Sequence, residues 1–122
     1  MFKSQKEPTN NMGEQIHYYL TQGDSCTIYA TPRNNNGDPL PISDFSKCVF
    51  KLSDMDYVQE FSKDLDIIGG EFVLRLTAEE TQNFSVATHI YEFEYILTSG
   101  EVQTPNQHKF DILHQIVKKT EE

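Results

Sequence analysis

Residues 88–98 read Thr-His-Ile-Tyr-Glu-Phe-Glu-Tyr-Ile-Leu-Thr, and their alternation decides the fold. Tyr91, Phe93, Tyr95 and Leu97 fall on one face, opposed by Glu92, Glu94 and Ile96. Successive side chains of a strand point to opposite sides, so this segment reads as a strand with one buried aromatic face. A register slip of one residue would turn every one of these side chains over.

Working outward toward the C-terminus, Ser99-Gly100 turns the chain. Residues 101–104 begin a return strand, Pro105-Asn106 interrupts it, and residues 108–113 complete it with Phe110 and Ile112 inward. In the other direction, Thr77-Ala78-Glu79-Glu80 is a capping box, which predicts about one helical turn over residues 78–83 crossing the end of the fold. Before it, Ile67-Ile68-Gly69-Gly70-Glu71-Phe72 has the form of a tight hairpin, and Phe72, Leu74 and Leu76 alternate with Val73 and Arg75. Residues 47–52 form a strand with Cys48, Phe50 and Leu52 inward. Residues 56–61 are more polar and carry Tyr57, Val58 and Phe61; they are expected to be an edge strand, where charge blocks unwanted pairing.

The N-terminal third follows the same rule. Ile16, Tyr18 and Leu20 alternate within residues 15–20, and Cys26, Ile28 and Ala30 within residues 25–31, with Gly23-Asp24 turning between them. Residues 32–46 are an irregular connection, holding Asn34, Asn35, Asn36, Gly37, Pro39 and Pro41. The expected fold is all-β: an immunoglobulin-like antiparallel β-sandwich of seven to eight strands with one short helical turn. Phe50, Leu52, Phe72, Leu74, Tyr91, Phe93, Phe110 and Ile112 should converge in its core. The chain divides into a mobile polar arm (1–14), the sandwich (15–113) and a charged tail (114–122).

Composition agrees. The chain has 122 residues, enough for one core, with 8 Phe and 6 Tyr but no Trp and three alanines, so strand formers outweigh helix formers. Ten basic against 19 acidic residues give a net charge of -9, which argues against nucleic acid and anionic lipid as partners. Apolar runs last only a few residues, so no membrane span is expected, and no secretory signal opens the chain. Cytoplasmic production is the expectation.

Little in the sequence points to a reaction. His17, His89, His108 and His114 stand at no recurring metal-ligand spacing and read as solvent-facing or locally satisfied. Cys26 and Cys48 fall on inward faces; buried thiols are the simpler reading, a disulfide between sheets the other. Asp54, Asp56, Asp64 and Asp66 fit no calcium loop and read as a solvated acidic rim. Glu92 and Glu94 share an outward face rather than facing each other across a cleft. Asn83-Phe84-Ser85 matches a glycosylation triplet by chance. No catalytic residue, cofactor or metal site is expected.

Residues 22–113, taken in order, resemble a family of immunoglobulin-like domains in phages and prophages of Gram-positive bacteria, most of all the N-terminal domain of upper baseplate proteins. The pieces are Gln22-Gly23-Asp24 before Cys26-Thr27-Ile28, Asn36-Gly37-Asp38-Pro39, Ile42-Ser43-Asp44-Phe45 and Val49-Phe50-Lys51-Leu52. Then come Gly70-Glu71-Phe72-Val73-Leu74, Leu76-Thr77-Ala78-Glu79-Glu80-Thr81, Tyr91-Glu92-Phe93-Glu94-Tyr95, Ser99-Gly100-Glu101-Val102 with Thr104, and Lys109-Phe110-Asp111-Ile112. One departure is a lengthened step at residues 84–89, before the aromatic strand. Family members also usually continue into a long C-terminal part with receptor-binding machinery.

The resemblance implies a non-enzymatic structural protein of the virion, an assembly module of tail or baseplate. It implies other virion or tail proteins as partners and homo-oligomers, while the charge and the short apolar runs leave no expected role for nucleic acid or membrane. Tyr57, Val58 and Phe61 on the edge strand, or the arm, are the expected contact surfaces. The alternative is a carbohydrate- or surface-binding β-sandwich module, with Tyr29, Tyr57 and Tyr95 as stacking candidates.

Overall fold

Two sheets face each other across the aromatic side chains that the alternation places inward. The computed structural model describes residues 17–105 and 107–114, together with the backbone of residues 3–6. Its strands are β1 (Lys3–Lys6), β2 (Tyr18–Thr21), β3 (Cys26–Ala30), β4 (Phe45–Ser53), β5 (Gln59–Asp64), β6 (Asp66–Ile68), β7 (Glu71–Leu76), β8 (Thr88–Leu97), β9 (Val102–Gln103) and β10 (His108–Leu113). Helix α1 (Ala78–Gln82) lies between β7 and β8. One sheet runs β1-β3-β7-β6 and the other β2-β10-β8-β4-β5, with β9 also on β8.

The return strand is divided around Pro105, which has no N–H for a ladder, so β9 and β10 count separately. Four residues of the N-terminal arm pair in parallel with β3, in the register Lys3↔Cys26 to Lys6↔Tyr29. The rest of the arm and residues 115–122 of the tail lie outside the described residues. β2 also pairs in parallel, with β10. The other ladders are antiparallel, the longest between β4 and β8.

The predicted core forms. Phe50, Leu52, Phe72, Leu74, Tyr91, Phe93, Phe110 and Ile112 are all buried. Phe50 is its hub, with ring centroids 5.7 Å from Phe93, 5.9 Å from Tyr91 and 6.5 Å from Phe110. Tilted and edge-on pairs at these separations are the favoured aromatic geometry. Cys26 and Cys48 are buried thiols rather than halves of a disulfide.

From β2 onward the chain crosses between the sheets at four places, and each crossing has a local cause. Gly23 takes φ 90° in the β2–β3 turn, a conformation open to glycine. The β3–β4 connection is ordered by Asn34, whose Oδ1 accepts from the N–H groups of Asn36 (2.8 Å) and Asp38 (3.0 Å). Leu65, buried, separates β5 from β6. The fourth crossing is α1, with the capping box in place: Glu80 N–H donates to Thr77 Oγ1 (3.1 Å), and Thr77 N–H donates to Glu80 Oε1 (2.9 Å).

Candidate interaction site

The β4–β5 connection carries two of the three residues expected at an interface, and here the structure corrects the sequence reading. Residues 56–61 are not one strand. Asp54 Oδ1 accepts from the N–H groups of Asp56 and Val58, both at 2.9 Å, and Tyr57 N–H donates to Asp54 O at 3.0 Å. This local bonding closes a turn over residues 54–58 and delays β5 to Gln59. Tyr57 is forced to φ 66°, a left-handed conformation that costs a bulky residue about 1–2 kcal/mol.

The three side chains therefore part. Tyr57 and Val58 stand 66% and 60% exposed at the turn, beside Met55 at 47%. Phe61 turns inward, half-buried against the core, with its ring 5.0 Å from Phe84 and 6.3 Å from Phe50. Of the sugar-stacking candidates, Tyr95 is buried at 2% exposure and Tyr29 is half-buried, which leaves Tyr57 as the open aromatic platform.

β5 is an edge, as its polarity predicts, and its closure uses groups the pattern did not reveal. Lys63, opposite Phe50 in the ladder, reaches across the sandwich to Arg75 O (2.6 Å) and Glu80 Oε1 (2.9 Å). An inward charge of this kind blocks edge-to-edge pairing. Burial alone would raise the Glu80 carboxyl, but the Thr77 backbone N–H and then Lys63 outweigh it and hold it below 4.5.

Further along β5, Glu60 meets the lengthened segment. Ser85 Oγ donates to Glu60 Oε2 at 2.9 Å. His89, fully buried, directs Nδ1–H to Ala87 O (3.0 Å) and Nε2 toward Ser85 Oγ (3.1 Å) and Glu60 Oε1 (3.2 Å). These are the residue types of a nucleophilic triad in a different order. A backbone carbonyl stands where an orienting carboxylate would, and the carboxylate instead engages the serine hydroxyl. The cluster ties β5 to β8. A histidine four residues after a serine was visible in the sequence, but its partner 29 residues away was not.

The opposite side of this end is riveted by Thr81, fully buried on α1. Its Oγ1 accepts from Gly23 N–H (3.0 Å) and donates to Asp24 O (2.8 Å). Gln22 Nε2 adds a bond to Phe84 O at 2.9 Å.

Below Tyr57, the outer face of the six-stranded sheet holds a groove of about 240 Å3. Lys51, Ser53, Gln59, Glu92 and Gln107 contribute its polar walls. Gln107 Nε2 donates to Glu92 Oε1 (3.1 Å), and Lys51 pairs with Glu94 at 3.2 Å. The loop aspartates are dispersed: Asp54 caps its turn, Asp64 lies 3.7 Å from Lys47, and Asp66 bonds Arg75 at 2.9 Å. Among the described residues, no group of three or more His, Cys, Asp or Glu is placed to hold a metal ion. His108 is buried beside Tyr91, and burial holds its imidazole below 6.5. No helix among the described residues is long and apolar enough to cross a membrane.

Topology and core together define an immunoglobulin-like β-sandwich. No protein-family profile matches the chain, and no curated protein matches its sequence. Among solved structures, the N-terminal domain of phage TP901-1 ORF48 shares the fold with a TM-score of 0.57 at 18% identity, covering 93% of this chain and 99% of that one. The Clostridium thermocellum CbhA fibronectin(III)-like modules give 0.49 at 11% identity, covering 84% and 93%. The first likeness runs over nearly the whole of both chains, so the fold they have in common is a complete domain fold rather than a fragment.

Proposed function

We propose that this protein is a non-enzymatic structural component of a phage or prophage virion, an assembly module of the tail or baseplate. The observation that carries the reading is the end-to-end fold match with a domain of a phage protein, 93% of this chain on 99% of that one. The ordered sequence resemblance over residues 22–113 to baseplate domains of phages infecting Gram-positive bacteria supports the same role. Its partners are other virion proteins and further copies of itself. The contact surfaces are the N-terminal arm and the β4–β5 turn, where Tyr57 and Val58 stand exposed.

Immunogold electron microscopy of purified particles tests the location: label is expected on the tail, and absence of the protein from virions overturns the reading. Analytical ultracentrifugation tests the contacts, comparing the full chain with one starting at Gln15, each with and without virion proteins. Association is expected and should weaken when the arm is removed. A strict monomer that captures no virion protein defeats the assembly role.

A further inference from the structure

We propose that the groove on the outer face of the six-stranded sheet, beneath Tyr57, binds a short uncharged oligosaccharide. Three observations converge on it. The first is Tyr57 itself. A large aromatic side chain 66% exposed at φ 66° serves neither the core nor the backbone's own preference. Asp54 nevertheless fixes the turn with two side-chain bonds of 2.9 Å, so the ring is presented from a rigid base. Strained, over-determined positions of this sort concentrate at ligand sites. An amphipathic ring fits the C–H face of a pyranose while leaving its own hydroxyl free for solvent or ligand.

The second observation is the wall chemistry. Lys51, Ser53, Gln59, Glu92 and Gln107 place donors and acceptors around one aromatic platform. A sugar ring asks for this combination, an apolar face rimmed by hydroxyls that both donate and accept. Leu52, Ile90 and Tyr91 also border the groove; Leu52 and Tyr91 are fully buried in the core, and half-buried Ile90 adds one aliphatic wall among five polar ones. The open surface is thus too polar for the buried apolar anchor of a protein hot spot. At about 240 Å3 the groove is smaller than the roughly 300–1,000 Å3 pockets of drug-sized ligands, so it seats part of an oligosaccharide and leaves the rest over the open sheet face.

The third is charge. Lys51 is offset by Glu94 at 3.2 Å, Glu92 lines the groove, and the whole chain carries a net charge of -9. An anionic glycan is repelled and a neutral one is not. This inference does not rest on the virion assignment, and particle labelling leaves it untouched.

The test is a nuclear magnetic resonance titration of the full chain with neutral trisaccharides of glucose, N-acetylglucosamine and rhamnose. Each is taken to about 10 mM, well above a 1 mM dissociation constant. At least one should shift amides confined to residues 51–59, 90–92 and 107. Tyr57→Ala should weaken binding about tenfold or more, and Tyr57→Phe should retain most of it, since the ring face remains. Trigalacturonate, the anionic control, should not bind. No shift with any neutral trisaccharide overturns the proposal, as does binding unchanged in Tyr57→Ala or equal binding of trigalacturonate. A Tyr57→Ala chain that loses self-association or virion-partner capture, with no sugar bound by the parent, would leave the turn a protein contact alone and overturn the saccharide site. Tyr57 is exposed, so the variants fold, which unchanged amide spectra away from the groove will verify.

Discussion

Thr81→Val removes one buried hydroxyl while keeping the shape of the side chain. The hydroxyl accepts from Gly23 N–H at 3.0 Å and donates to Asp24 O at 2.8 Å, and the residue is fully buried. Valine leaves both backbone groups without these partners. Each buried group so orphaned costs about 1–3 kcal/mol. Gly23 and Asp24 are themselves only half-buried, so water recovers part of that loss. A net destabilisation of about 1–3 kcal/mol is expected. At about 4 °C per kcal/mol for a chain of this length, the melting temperature falls by about 4–12 °C. Urea unfolding supplies the free energy, and amide exchange at Gly23 reports the local cause. Thr81→Ser is the comparison: it keeps the hydroxyl and deletes a methyl, at about 1 kcal/mol. Thr81→Val should therefore be the more damaging of the two and should speed Gly23 exchange. If valine is tolerated as well as serine, or if Gly23 exchange does not change, the hydroxyl does not hold α1 to the β2–β3 turn.

Phe93→Ala should cost about 3–5 kcal/mol in urea unfolding, because the ring is buried and packs on Phe50 and Tyr91, each at 5.7 Å. Asp54→Ala should cost about 1–2 kcal/mol and raise amide exchange at Asp56 and Val58, whose bonds to the carboxylate it removes. Stability should depend on pH in two windows. Burial holds the folded His108 below 6.5, so the unfolded chain takes up its proton first; stability is full above that value and falls as pH drops toward the folded value. His108→Gln should flatten that fall in the urea midpoint. Glu80 is held below 4.5, so its contribution is present above that pH and is lost as pH falls through the folded value, a step that Glu80→Gln should remove.

Alternation alone located the core because a two-residue period is a property of contiguous sequence. Cys48, Phe50 and Leu52, or Tyr91, Phe93 and Tyr95, need no knowledge of their partners to be assigned inward, and all six are buried. The same rule misread residues 56–61. Tyr57 and Phe61 are four apart and fit the period of one strand, but the Asp54 carboxylate bonds two N–H groups ahead of it and converts the start of that segment into a turn. An aspartate followed by Met-Asp-Tyr carries the signal of such a turn, and hydrophobic periodicity is blind to it. The groove was less legible still. Lys51 and Glu92 come from β4 and β8, and Gln107 stands just before β10; their neighbourhood is a product of ladder register rather than of any local spacing.

Two of the sequence pieces that carry the phage-domain resemblance meet in space, which gives their joint occurrence a physical reason. Gln22-Gly23-Asp24 lies 57–62 residues from its partners, yet Thr81 bonds the last two and the Phe84 carbonyl bonds the first. A glycine at φ 90° lets the turn approach α1, and the threonine hydroxyl satisfies the polar groups that this approach buries. The departure at residues 84–89 then has a use of its own. Phe84 is buried against Phe61, and Ser85 with His89 engages Glu60, so the added length covers the inner side of edge strand β5 near its start. Lys63 covers it further along, through Glu80 and the Arg75 carbonyl. Edge strand β5 is thereby fixed at both points to elements beyond its ladder partner β4, and its turn is left as the rigid, outward-facing support that presents Tyr57 over the groove.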